Sequence, residues 1–496
     1  MHPKQRGKSG AIWLRTGLAG LSALLVTACA NGGAGSAGPA PGPLPSVAVD
    51  AATDSHPRRP VIVVPDIGVS RLVGPDDDQV VWDSFAGISP NPFLPEAIRA
   101  IALPMAEGRP LAELTDDLRA EPVSDATAGA YGFDAGANLH AGVTRALTEA
   151  GYRPPGASAV SAPNGLFVFA YDWRRDLVEN ARALARFIDG RVGPGRAVDL
   201  VGEGAGALIV RYFLLYGDQD LPEGGLPEAR WSGAARVERA ILIAPPNAGT
   251  VSSLLRLIQG DAAGRLTPAV IGTFPSAYQL LPRPRHGAVR ARADGRLQNH
   301  LDPELWRQAG WGLAGASDED LATLLPEAAE PAARRRSALA YQARSLDRAG
   351  RFMQALDRAD TVLPEGLDLH LMTGDGQSTP LRLGYDPGGA RLDVIETTTG
   401  DGAVPRASAL LDERLTGMGA PAVASPIPWR SVHLFNDDAI GMAGDPAFAD
   451  NLRFLLVETP DSPWDGRFEP APQRQAPAGP APAVVDRPTE GPRRLF

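Results

Sequence analysis

The sequence predicts an α/β fold, a mostly parallel sheet with helices on both faces and a helical insertion. Three observations predict it. Short β-branched runs recur between segments of helical periodicity, the runs are continuously apolar as in strands buried on both faces, and one of them enters a glycine-rich turn that opens a helix.

Taken in order, VIVV (61–64) lies between Pro60 and Pro65 and reads as a buried strand. Asn138 to Tyr152 places Leu139, Val143 and Leu147 at helical spacing, with Gly151 as a stop. LFVFAY (166–171) is a strand, Leu177 to Ile188 a helix, AVDLV (197–201) a strand, Ala205 to Tyr216 a helix and RAILIA (239–244) a strand. This alternation implies βαβ units. It stops from Gly249 to about Pro364, which is helical where readable and is expected to form a cap. LHLMTG (369–374), LRLGYD (381–386) and RLDVIE (391–396) restore strands, the last two as a hairpin through Pro387-Gly388-Gly389, and a helix from about Asp445 to Val457 closes the fold.

The ends differ from the middle. Lys4, Arg6, Lys8 and Arg15 precede an apolar run from Leu18 to Val26, too short to span a membrane as a mature helix, so residues 1–29 read as a targeting segment. Cys29 is the only cysteine of the 496 residues, which excludes an intramolecular disulfide. Residues 30–58, rich in Gly, Ala, Pro and Ser, read as a flexible tether, and 469–496, rich in Pro and Ala, as a disordered tail. The folded part is expected at 59–468, with core at 59–249 and 366–468 and the cap at 250–365.

A formal charge of -10 without a basic stripe argues against a nucleic-acid partner, and Arg334-Arg335-Arg336 reads as a helix face. No metal or other cofactor is expected. Asp76-Asp77-Asp78 and Asn436-Asp437-Asp438 lack calcium-loop spacing, and His56, His140, His286, His300 and His370 are too dispersed for a zinc motif.

The turn Gly202-Glu203-Gly204-Ala205-Gly206 admits two chemistries. As G-x-G-x-x-G/A, with Gly202, Gly204 and Ala207, it has the context of a dinucleotide fingerprint. The next strand, however, ends Ile243-Ala244-Pro245-Pro246 without a ribose-binding carboxylate, and Glu203 would repel phosphate. As a nucleophile elbow, G-x-S-x-G, both outer glycines fit and the serine position holds Gly204.

Motifs outside the turn bear on the choice. PVIVVPDIGVSRL (60–72), Val81-Trp82, AYDWRRD (170–176), VGEGAGALIVRYFLLYG (201–217), APPNAGT (244–250), TGDGAVP (399–405) and VHLFND (432–437) follow one another in the order of the lecithin:cholesterol acyltransferase family, which the chain from Pro60 to about Val457 resembles. That family includes phospholipid:diacylglycerol acyltransferases and bacterial lipase-like α/β-hydrolases. Val26-Thr27-Ala28-Cys29 resembles the bacterial lipobox.

The resemblance implies lipid ester hydrolysis or acyl transfer, with Asp401 as the triad acid and His433 as the base on loops after late strands, and no cofactor. It places Asp66, Ile67 and Ala205 at the oxyanion site, and Asp172 and Trp173 at a strand end and acyl pocket. Gly204 cannot form an acyl-enzyme, Asp66 replaces the usual loop glycine, and Glu203 adds an anion. Ser70, Ser84, Ser431 and Thr250 lie off the elbow.

The expected function is therefore that of a pseudoenzyme binding a lipid, acyl ester or protein partner. The alternatives are residual catalysis by Asp401 and His433 with a water or another nucleophile, and dinucleotide binding. The lipobox implies a membrane anchor through acylated Cys29, and Ala30 after it implies the outer membrane facing the periplasm.

Overall fold

In the computed structural model every side chain of Val61–Val64 (β1) is buried. The structure describes residues 58–458 apart from 76–78, 84–86, 89–93, 124–134, 155–163, 262–263, 359–360, 387–391 and 414–424, so the targeting segment with Cys29, the tether up to residue 57, residues 459–468 and the tail lie outside the described residues. β1 sits in a six-stranded sheet ordered β13-β10-β8-β7-β1-β6. Its other members are β6 (Leu166–Val168), β7 (Val198–Glu203), β8 (Val237–Ile243), β10 (Asp368–Gly374) and β13 (Ser431–Phe435). All five pairings are parallel.

Alternation along β1 shows why the run is wholly apolar. Val61 and Val63 pack with Leu139, Val143 and Leu147 of helix Ala135–Glu149 and with Phe448 of helix Pro446–Arg453. Ile62 and Val64 join the opposite core, with Leu184 and Ile188 of helix Leu177–Val192 and Leu208 of helix Ala205–Tyr216. Both faces are thus covered by helices, and successive side chains serve different cores.

Two smaller sheets were not legible as such. β2 (Arg71–Val73), β3 (Val80–Asp83), β4 (Gly87–Ile88) and β5 (Arg119–Glu121) form an antiparallel sheet in the order β4-β3-β2-β5. β9 (Val289–Ala291), β11 (Gln377–Tyr385) and β12 (Asp393–Gly400) form the other. The hairpin expectation meets antiparallel β11 and β12, whose connecting residues 387–391 are outside the description. Between β8 and β10 the longest element is helix Pro331–Leu356, but the stretch also contributes β9, which pairs in parallel with β11.

Register aligns the strand ends that matter. Val64 lies opposite Gly202, and Glu203 opposite Ile243, so β1, β7 and β8 release their following loops at one edge of the sheet. The mostly parallel sheet, helices on both faces and a sharp strand-to-helix turn after β7 make this an α/β-hydrolase fold.

Candidate active site

At the end of β7 the chain reverses through Gly204, with φ 50° and ψ −121°, and the helix begins at Ala205. A Cβ on Gly206 would stand 2.1 Å from the Val64 carbonyl oxygen, so that glycine is imposed by the close passage of β1. Gly204 differs. A Cβ there would lie 2.2 Å from Cγ of Asp66 and within 2.4 Å of both its carboxylate oxygens.

Asp66 therefore occupies the space into which a nucleophile on residue 204 would project. Its Oδ1 accepts hydrogen bonds from the backbone N–H of Ile67 (2.8 Å) and of Ala205 (2.8 Å). These are the donors that sequence reasoning placed at the oxyanion site, and a carboxylate oxygen of the chain itself fills them. The loop is braced on the far side, where the Tyr171 hydroxyl donates to the Pro65 carbonyl (2.7 Å) and the Trp82 indole N–H to the Gly68 carbonyl (2.6 Å). Burial, then the nearby Asp66 and Glu203 carboxylates, hold the Tyr171 phenol well above its ordinary value.

Glu203, the last residue of β7, is fully buried. Its two carboxylate oxygens lie 3.2 and 3.0 Å from Nδ1 of His140, on helix Ala135–Glu149. Sequence reading missed this pair. His140 is adjacent to an apolar stripe residue, Leu139, and only the packing of that helix against β7 supplies its partner.

Asp401 follows β12, and its Oδ1 accepts from the N–H of Ala403 (2.9 Å) and Val404 (2.6 Å). Among the described residues no donor reaches Oδ2. The side chain is 5% exposed, and burial raises its pKa, the Val404 and Ala403 amides opposing and the neighbouring Asp438 adding to the rise. Asp438 itself accepts from Gly441 N–H as the cap of helix Ala439–Gly444.

Asp66, Ile67, Gly204, Ala205 and Asp401 line one cavity of about 250 Å³, together with Thr250, Ser252, Ser253 and Arg256. A smaller apolar cavity adjoins it, walled by Trp173, Ile271 and Phe274 and sharing Ile67, Ser253, Arg256 and Leu280.

His433 is not there. It lies within β13 opposite Met372, not on a loop after the strand, so the expected position is corrected. Its Nε2 lies 2.9 Å from Ser431 Oγ, which lies 2.8 Å from Nδ1 of His370. Burial lowers the His433 pKa, offset by a hydrogen bond with Asn451. The strand runs two residues beyond His433, and the chain reaches the cavity only at Ala439. A water placed by His433 in the space of a missing serine side chain is likewise corrected, because Asp66 fills that space.

Asp172 is outside the cavity too. It and Asp116 hold the fully buried Arg174 guanidinium, at 2.7 Å each. Trp173 contributes to the apolar cavity, edge-on to Phe274. The dinucleotide alternative loses its anchor, since the Ala205 amide at the helix start is engaged by a carboxylate and not open to a pyrophosphate. No cluster of three metal-ligating side chains occurs among the described residues.

No family model matches the chain, and no curated protein matches it. Solved structures similar to it include the Tle4-Tli4 complex, at 13% identity, covering 81% of this chain and 98% of that chain with a TM-score of 0.49. EstA from Clostridium botulinum is similar at 13% identity, over 64% of this chain and 81% of that chain, TM-score 0.29. Lipase 1 from Pelosinus fermentans is similar at 15% identity, over 55% and 74%, TM-score 0.24.

Proposed function

We propose that this lipase-like α/β-hydrolase is a pseudoenzyme with respect to serine ester chemistry, related to the lecithin:cholesterol acyltransferase family, and that it binds an acyl-chain lipid or a protein partner at the former cleft. One observation carries the reading. The Asp66 carboxylate sits where the nucleophile would project and takes both amide donors that an acyl oxyanion would need. An acyl transition state would have to displace an anion from the site built to stabilise its own charge. The cavity of about 250 Å³, whose lining includes Ile67, Leu139 and Leu280, is where an acyl chain would lie.

A fluorophosphonate serine probe is expected to leave the protein unlabelled, and p-nitrophenyl butyrate to be hydrolysed at the rate of buffer. Gly204→Ser alone is expected to remain silent, because the new side chain meets Asp66 and, among the described residues, no histidine lines the cavity. Esterase activity in the wild type, abolished by His433→Ala, would overturn the reading in favour of residual catalysis.

The lipobox resemblance adds anchorage through acylated Cys29, on the periplasmic face of the outer membrane. Loss of the protein from the membrane fraction in Cys29→Ser, with loss of incorporated alkyne-palmitate, tests it.

A further inference from the structure

Asp401 is a carboxylate with one oxygen matched and the other not. Its Oδ1 is held by the Ala403 and Val404 amides, the side chain is 5% exposed, and among the described residues no hydrogen-bond donor or ion-pair partner reaches Oδ2. The side chain is also backed closely by the end of β10, where a Cβ on Gly374 would lie 2.8 Å from the Asp401 Cβ. Asp401 lines the cavity of about 250 Å³, and a fixed, largely desolvated carboxylate oxygen there is unfavourable unless a donor meets it. Among the described residues no histidine lines this cavity, so the N–H that would complete Asp401 has to arrive with a ligand.

The rest of the wall selects the kind of donor. Asp66 lines the cavity as a second carboxylate, Asp438 neighbours Asp401, and Arg256 is the cation among the described lining residues. This charge balance disfavours an anionic ligand, and a ligand without a donor would leave Asp401 unmatched. Ser252 lines the cavity too and donates to the Ala403 carbonyl (3.4 Å) in the turn that carries Asp401, so its oxygen keeps lone pairs for a further N–H. Leu139, Pro246, Leu280 and Val404 supply apolar lining. We propose that the cleft binds a primary ammonium group on an aliphatic stem, with Asp401 Oδ2 as its counter-ion, Ser252 Oγ as a further acceptor and the stem along Leu139 and Leu280. Asp66 keeps its hydrogen bonds to the Ile67 and Ala205 amides and contributes only its charge.

The inference rests on the reading of the cleft as a ligand site and makes that ligand more specific. A free alkylamine and the lysine side chain of a protein partner carry the same group, and the chemistry at Asp401 is common to both.

The test is calorimetric titration of the full chain, at about pH 7 and low salt, with n-hexylamine, 1-hexanol and hexanoate, which share a stem and differ in the head. Hexylamine is a cation at that pH and is expected to bind at least about tenfold more tightly than hexanol, with hexanoate weakest. Nα-Acetyllysine methylamide separates the two sources. Binding like that of hexylamine admits a partner's lysine, and no binding where hexylamine binds assigns the site to a free amine. Asp401→Asn, whose side-chain oxygen still accepts from the Ala403 and Val404 amides, is expected to bind hexylamine at least about tenfold more weakly and hexanol as before. The comparison of heads is made in the wild type, so it stands even where the variant does not fold. Equal binding of hexanol and hexylamine would overturn the ammonium assignment and leave the cleft a ligand site, whereas no binding of any head would overturn both. Tightest binding of hexanoate, or undiminished hexylamine binding by a folded Asp401→Asn, would also overturn it.

Discussion

Residues 66 and 204 cannot be varied independently, because the carboxylate of one lies where the side chain of the other would begin. Gly204→Ala imposes both an overlap with Asp66 and a side chain at φ 50°. The backbone part is of order 1–3 kcal/mol, and the overlap adds to it. In an Asp66→Gly background the overlap disappears and only the backbone part remains. Urea denaturation of the four proteins should give a coupling of at least about 1 kcal/mol; additive effects would show that Asp66 does not occupy that space. His140 and Glu203 form the other coupled pair. His140→Ala leaves Glu203 buried without its partner and should cost about 3–5 kcal/mol, whereas Glu203→Gln, which removes the charge and keeps a hydrogen-bonding group, should cost clearly less. Equal losses in urea melts would contradict a charge-based role.

At the scale of elements, the contact between β1 and the helix after β7 sets what the elbow tolerates. A Cβ at Gly206 would approach the carbonyl oxygens of Val64 and Pro65 to 2.1 and 2.5 Å, and neither is a side chain that can rotate away. Gly206→Ala should therefore separate β1 from the helix and yield little soluble protein. Gly190 is the contrast. It lies in helix Leu177–Val192 with nothing within 4 Å of an added Cβ, so Gly190→Ala should stabilise by up to about 1 kcal/mol through helix propensity. A rise in Tm for Gly190→Ala beside a soluble, native-like Gly206→Ala would show that the packing at the elbow is looser than described.

For the molecule as a whole, buried histidines decide the response to acid. His300 is fully buried, its Nε2–H donates to the Pro282 carbonyl, and burial lowers its pKa to about 4 against an ordinary 6.5. His370, beside Asp368 but largely desolvated, is also lowered to about 4. Groups whose folded pKa is depressed bind protons more readily when unfolded, so their contribution is present above 6.5 and is lost as the pH falls towards 4. Asp199 acts oppositely. Burial raises it to about 6, with Arg239 opposing, so its contribution is present below the unfolded value near 3.8 and is lost as the pH rises through 6. Two histidines outweigh one carboxylate, and Tm should fall between pH 6.5 and 4. Asp199→Asn should steepen that fall and His300→Gln flatten it; scanning calorimetry at several pH values that found neither change would refute the assignment.

Much of the fold and part of the site follow from the sequence alone. The strands of the parallel sheet are legible because burial on both faces leaves uninterrupted apolar runs, as in Val61–Val64, and the elbow because close backbone approach demands Gly202 and Gly206. The absence of a serine at residue 204 is a fact of sequence. Short strands such as Val289–Ala291 are not legible, since three residues carry no periodicity and their pairing with β11 is contributed from far along the chain. Nor is the fate of His433 legible. Its motif fixes a strand and a histidine, but whether the side chain reaches the cavity depends on how far β13 runs before the chain turns. Only the tertiary structure decides that Asp66 fills the elbow and that Glu203 meets His140, because each contact joins segments more than sixty residues apart and depends on side-chain reach, which local sequence does not encode.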